Sequence, residues 1–270
     1  MSAHARDGGP ALQLIGLTKR YGDTVALDSI SFEVAAGEFV AVLGPSGAGK
    51  TTLFRCLTRL VAPDDGAVFV RGRPLHALHG QRLRAARREI GLIFQQFNLI
   101  RRMTAVENVL AGRLGHAPTW RVLLRRFSRA DRQIALAALD RVGLLAQAGQ
   151  RADSLSGGQQ QRVAIARVLA QQSRLILADE PVASLDPESA ASVLGTLREI
   201  ARERGIAVLC SLHQVDLAAQ FADRVIGLHG GRLVADLPAE RLGAAERARI
   251  YRAEPEAVQP MAQSEPVGIG

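Results

Sequence analysis

Short apolar runs alternate along this chain with stretches whose apolar residues recur every three to four positions. Runs at 12–17, 31–34, 39–43, 67–70, 90–94, 175–178, 207–211 and 224–228 predict strands. Several of them, such as Phe39-Val-Ala-Val-Leu43 and Leu175-Ile-Leu-Ala178, are apolar at every position. Strands read that way when helices cover both faces of a parallel sheet. Helical spacing over 50–60, 157–171, 188–202 and 215–221 lies between them, and the alternation predicts an α/β core. From 98 to 170 the strand pattern lapses. Helical spacing alone remains there, over 106–112 and 130–142 among others, and predicts a helical subdomain inserted into the core. Residues 1–10 and 254–270 are polar and aperiodic and read as disordered ends, which leaves 11–97 and 171–253 as the α/β core.

Composition narrows the class. With 47% hydrophobic residues in 270, the chain can bury a full core, so disorder throughout is excluded. No uncharged apolar run approaches the roughly 18 residues of a membrane span, and MSAHARDGGP lacks the apolar region of a secretory signal. Cys56 and Cys210 stand too far apart for metal-ligand spacing and are expected as core residues in a reducing, cytoplasmic compartment. The 34 basic and 26 acidic residues leave a formal charge of +8, and only Lys19 and Lys50 among the bases are lysines. Basic stretches at 82–88 and 121–132 read first as exposed helix faces; an anionic membrane or permease surface is the alternative for the second.

The most specific chemistry lies at Gly44-Pro-Ser-Gly-Ala-Gly49-Lys50-Thr51, which fits G-x-x-x-x-G-K-[ST] between an apolar strand and a helix. Glycines let successive backbone N–H groups curl around phosphate oxygens, at a helix start whose dipole favours anions. Lys50 supplies a point charge to the outer phosphates and Thr51 a hydroxyl for Mg²⁺. A second strand, 175–178, runs into Asp179-Glu180. The first carboxylate is placed to hold Mg²⁺ opposite Thr51, and the second to polarise an attacking water. The chain is expected to bind a nucleoside triphosphate. The Asn-Lys-x-Asp segment that reads guanine is missing, which excludes a GTPase.

Between the two motifs stands Leu155-Ser-Gly-Gly-Gln159, where Ser156 can cap, and Gly157 and Gly158 open, a second anion-favouring helix start. In this order the three motifs resemble the ATP-binding-cassette (ABC) ATPases, over about residues 12–235. The resemblance implies a P-loop NTPase core of ABC type, with the helical insertion and an N-terminal antiparallel β subdomain. It implies that ATP is held by Gly44, Pro45, Ser46, Gly47, Ala48, Gly49, Lys50, Thr51 and Thr52, with Tyr21 stacked on adenine. Mg²⁺ would be reached by Thr51, Gln95 and Asp179. Glu180, His213 and Gln95 would be catalytic, His213 as the switch that touches the γ-phosphate. Asp186 would lie in the loop crossing to a second protomer, and Leu155, Ser156, Gly157, Gly158 and Gln159 would act in trans. A homodimer with two composite sites follows.

Phe94-Gln-Gln-Phe-Asn-Leu99, the run 107–115 with Pro118-Thr-Trp120-Arg121, Pro181-Val-Ala-Ser-Leu-Asp186 and Leu212-His-Gln-Val-Asp216 are similar to the phosphonate-import ATPases. Val182 and Ala183 stand where many importer ATPases carry Thr-Asn or Ser-Ala. That likeness implies two separate transmembrane permease subunits and a solute-binding protein. The ATPase would be peripheral, on the cytoplasmic face of the inner membrane, meeting the membrane through the permease. An importer of another anion or amino acid, or an exporter, stays open within the family. A soluble ABC ATPase acting on nucleic acid fits less well, for the chain has one cassette, no sustained heptads and no cysteine clusters, and no nucleic-acid partner is expected.

Overall fold

The computed structural model describes residues 9–116 and 127–251. Most of both expected loose ends, the 118–121 segment with Trp120, and the first part of the basic run 121–132 lie outside the described residues.

Two sheets form the frame. Five parallel strands, β3 (Phe39–Leu43), β6 (Ile90–Ile93), β7 (Leu175–Asp179), β8 (Ala207–Ser211) and β9 (Arg224–His229), are joined by an antiparallel edge strand, β10 (Arg232–Pro238), in the order β10-β9-β3-β8-β7-β6. The second sheet is antiparallel, in the order β2-β1-β4-β5, from β1 (Leu12–Tyr21), β2 (Thr24–Val34), β4 (Asp65–Val70) and β5 (Arg73–Pro74).

Alternation of side chains across the pleat explains why the central strands are apolar throughout. Phe39, Ala41 and Leu43 enter one core together with Ile176, Ala178, Val208 and Cys210. Val40 and Val42 enter the other with Leu175, Leu177, Ala207 and Leu209. The first core is closed by helices α3 (Ala105–Leu110), α4 (Arg129–Arg141), α5 (Gly157–Ala170), α6 (Pro187–Arg204) and α7 (Val215–Phe221). The second lies under the antiparallel sheet and α1 (Lys50–Leu57). Cys56 and Cys210 are both buried free thiols, and burial pushes Cys56 up to about 11 and Cys210 higher still.

Several expected boundaries are corrected. The helix expected to reach 60 stops at Leu57, because Arg59 takes a left-handed backbone (φ 57°). The helix expected over 188–202 runs from Pro187 to Arg204, capped by Asp186 through the Ser189 N–H (2.9 Å) and closed by left-handed Gly205. Strands expected at 12–17 and 31–34 continue to Tyr21 and back to Thr24, since a half-exposed antiparallel hairpin tolerates polar residues that a buried parallel strand does not. The strand expected to include Phe94 ends at Ile93. Three elements lay unread: β10, which follows a turn with Gly230 and Gly231 both at positive φ, the short β5, and helix α8 (Ala244–Tyr251). The basic stretch 82–88 lies within helix α2 (Gly80–Arg88), where Ala86 alone is buried.

One guanidinium ties the region between β6 and β7 together. Arg113 donates from Nε to Asp131 Oδ1 (2.9 Å), and from Nη1 to the Ala170 carbonyl and Gln172 Oε1 (both 3.0 Å). Arg113→Ala should cost about 2 kcal/mol in urea denaturation, because it removes a largely buried charge partner of Asp131 and leaves the Ala170 carbonyl without this donor, although Ser128 still bonds Asp131 Oδ2. Arg73→Ala, which breaks an exposed pair with Glu89, should leave the midpoint in place.

Candidate functional site

The site is built where β3, β7 and β8 end at the same edge of the parallel sheet. After Leu43 the chain turns through 44–49 and re-enters as α1. Gly49 is the residue before that helix, at φ 102°, and a Cβ there would sit 2.5 Å from the Ala26 carbonyl oxygen. Gly44 comes as close to β9, with 2.3 Å to the Leu228 carbonyl oxygen. Only glycine allows the loop to press against its neighbours this tightly. Gly49 offers no side-chain cap, so the first N–H groups of α1 stay free for an anion.

Lys50 is 5% exposed, and its Nζ donates to the Gly44 carbonyl (2.6 Å) and the Pro45 carbonyl (3.1 Å). Burial lowers its pKa, while the charges of Glu180 and Asp179 act in the opposite sense. A cleft of about 420 Å³ opens over the loop. Residues 24–26 of β2 form one wall, 46–52 the floor, and Glu180 and His213 the far side.

The carboxylates are fixed by β8. Parallel pairing sets Asp179 against Ser211, whose Oγ donates to Asp179 Oδ1 (2.8 Å) and accepts from the Glu180 N–H (2.8 Å). Glu180 holds a left-handed backbone (φ 50°), and its Oε1 lies 2.5 Å from His213 Nε2. Burial raises the pKa of Asp179, partly offset by the Ser211 hydrogen bond. Thr51 and Asp179 both line a recess beside the cleft, so a hydroxyl-bearing and a carboxylate-bearing residue border one space. Among the described residues no three His, Cys, Asp or Glu side chains form a metal cage. Such a sparse, hard-oxygen donor set suits Mg²⁺, which takes one or two protein oxygens and completes its shell with waters and substrate phosphates.

The second anion-favouring helix start stands elsewhere. Ser156 caps α5 with a reciprocal box: its Oγ accepts from the Gln159 N–H (3.3 Å), and Gln159 Oε1 accepts from the Ser156 N–H (2.9 Å). Gly157 lies beside Leu185, and Gly158 is so close to Ser189 that a Cβ would stand 2.9 Å from its Oγ. None of 155–159 lines the cleft over Lys50. Asp186 caps α6, and the N–H bond from Ser189 holds its carboxyl below the usual range. Gln95 is exposed two residues beyond β6 and does not line the cleft. Tyr21 is also outside the lining; it is about half exposed at the end of β1, paired with Thr24, with the Lys19 ammonium 5.4 Å over its ring.

Sequence reasoning passed over Ser211, the wall 24–26 and Tyr251. The Tyr251 hydroxyl donates to the His213 carbonyl (3.4 Å). A serine closing the otherwise apolar run Ala207–Ser211 was the available signal for the first. Tyr251 sits on a helix whose apolar spacing is too short to read.

The ABC transporter family pattern matches residues 27–183. The chain belongs to this family. Its match spans both the P-loop and the Asp179-Glu180 strand end, so the cleft is that of an ATP-binding, ATP-hydrolysing cassette. The hypophosphite import ATP-binding protein HtxD of Stutzerimonas stutzeri is 56% identical over 231 residues, 85% of this chain and 68% of that protein. The phosphonates import ATP-binding protein PhnC of Frankia casuarinae is 52% identical over 246 residues, 91% of this chain and 97% of that protein. A solved dimeric structure of the ATP-binding cassette MJ0796 with ADP and Pi, in a post-hydrolysis state, is 34% identical with a TM-score of 0.71. It aligns with 84% of this chain and 98% of its own.

Close backbone approach at Gly49 should therefore be essential to the cleft. Gly49→Ala is expected to weaken a fluorescent ATP analogue at least about tenfold in titration, through strain and displacement of the loop from β2. Unchanged affinity would show that the contact with Ala26 does not shape the site.

Proposed function

We propose that this chain is the nucleotide-binding subunit of an importer that takes up phosphonates, working as a head-to-tail homodimer beneath two permease subunits. The observation that carries the dimer is the separation of the two anion-favouring helix starts: residues 155–159 are absent from the lining of their own chain's cleft. A second copy supplies them. Leu155 to Gln159 of one protomer then close over the P-loop of the other, and Asp186 lies in the loop between. The dimeric MJ0796 cassette supports this arrangement.

Within each composite site, the N–H groups of 44–52 and the Lys50 ammonium bind the phosphates, and Tyr21 stacks on the base. Thr51, Asp179 and Gln95 would hold Mg²⁺, which when bound would supply charge to offset that building on the phosphate oxygens. Glu180 accepts a proton as water oxygen attacks the γ-phosphorus and the bond to the bridging oxygen breaks, giving ADP and phosphate. Gln95 orients the water, and His213 orients Glu180 and contacts the γ-phosphate. Residues 11–97 and 171–253 form the catalytic core, and 98–170 the helical subdomain that docks on the permease. No helix among the described residues is long and apolar enough to cross a membrane, so a transport role is exercised through those permease subunits. The subunit is peripheral, on the cytoplasmic face of the inner membrane, and a solute-binding protein selects the cargo.

The phosphonate reading rests on the relative from Frankia casuarinae and on likeness in partner-facing segments. Hypophosphite is the second reading, favoured by the 56% identity to HtxD. ATPase of the reconstituted complex should rise with binding protein loaded with methylphosphonate more than with hypophosphite or orthophosphate. Stimulation by hypophosphite alone would reverse the two readings, and stimulation by none would remove both. Glu180→Gln should keep nucleotide, lose turnover by a factor of at least about 10² and run as a dimer in light scattering with Mg-ATP. A persistent monomer would count against the composite site.

A further inference from the structure

All five residues of β8 are buried, and Ser211 is the one with a polar side chain, 0% exposed at the end nearest the cleft. A buried hydroxyl is costly unless its donor and acceptor are both used. Here both are used, and both bonds go to the catalytic edge: one to the Asp179 carboxylate, one from the Glu180 N–H, each 2.8 Å. Two residues on, His213 grips the carboxylate of the same Glu180. Backbone and side chain of Glu180 are thus held by one strand end, at a residue whose left-handed φ of 50° persists only when its surroundings over-determine it.

We infer that Ser211 is a positioning residue for ATP hydrolysis: one hydroxyl sets the rotation of the Asp179 carboxylate and the backbone of Glu180, and so fixes the distance between the cation-holding and water-polarising groups. The inference rests on the roles given to Asp179 and Glu180 above. Neither bond forms without the parallel register that sets Asp179 opposite Ser211. An alanine keeps the register and removes both bonds. A buried apolar strand tolerates that change, so its effect is confined to where the two carboxylates stand.

The test compares wild type with Ser211→Ala, Ser211→Thr and Ser211→Cys in the full-length chain. Mn²⁺ binding is followed by electron paramagnetic resonance in the presence of a non-hydrolysable ATP analogue, and analogue affinity is measured separately in EDTA. For Ser211→Ala, Mn²⁺ affinity should fall about tenfold, the usual scale for losing a group that orients a metal ligand. Analogue affinity without metal should stay within about twofold, because the P-loop is untouched. In the assembled transporter, kcat should fall about tenfold with little change in KM. Ser211→Thr, which keeps the hydroxyl, should restore both readouts to within about threefold. Ser211→Cys, similar in volume and a weak hydrogen-bonding group, should behave as Ser211→Ala and serves if the alanine variant fails to fold. Wild-type Mn²⁺ affinity and kcat in the alanine or cysteine variant would overturn the inference, as would a folded threonine variant no better than alanine. Loss of metal-dependent binding in the wild type itself would instead overturn the roles of Asp179 and Glu180.

Discussion

The whole site depends on strands of a parallel sheet ending level with one another. Parallel pairing runs from Val40↔Leu209 through Leu175↔Ala207 to Asp179↔Ser211, and it carries β3, β7 and β8 to one edge. At that edge the hydrogen-bond ladder stops, so backbone groups and the last side chains become available to something other than the sheet. The loop 44–49 leaves β3 there, the two carboxylates end β7, and Ser211 ends β8. Slipping β7 by one residue would turn Asp179 to the opposite face and take its carboxylate away from Ser211. The buried alternation on both faces of the sheet is what forbids the slip.

Charge at this edge is balanced within a small space. Lys50 is nearly dry and leans on two carbonyls of its own loop, with the carboxylates of Asp179 and Glu180 close enough to act on its proton affinity. Asp179 is pushed the other way by the same burial. A low-dielectric setting strengthens every charge interaction made there. Groups that would otherwise be costly to bury become the means of gripping a polyanion.

Much of this was legible in the sequence, for reasons that can be named. The limits of β3 and β8 follow from unbroken apolar runs, and the P-loop from glycines whose spacing has a mechanical purpose. The start of α5 was legible because Ser156 is a strong cap. The antiparallel sheet was read too short because its hairpin carries the polar run Thr18-Lys19-Arg20, half-buried to exposed, where no apolar alternation marks a strand. β10 and α8 were missed because each earns its structure by packing on β9, where Ile250 fills the space left by Gly227. Ser211 hid among apolar neighbours, and its meaning appears only when another strand is laid beside it.

The two sulfhydryls have a practical consequence. Both lie in the core, and burial keeps both protonated far above neutral pH. An electrophile in solution therefore meets no reactive sulfur on the native surface. The molecule is chemically blank to maleimides, and a dye or spin label attached through one introduced cysteine would report from that place alone.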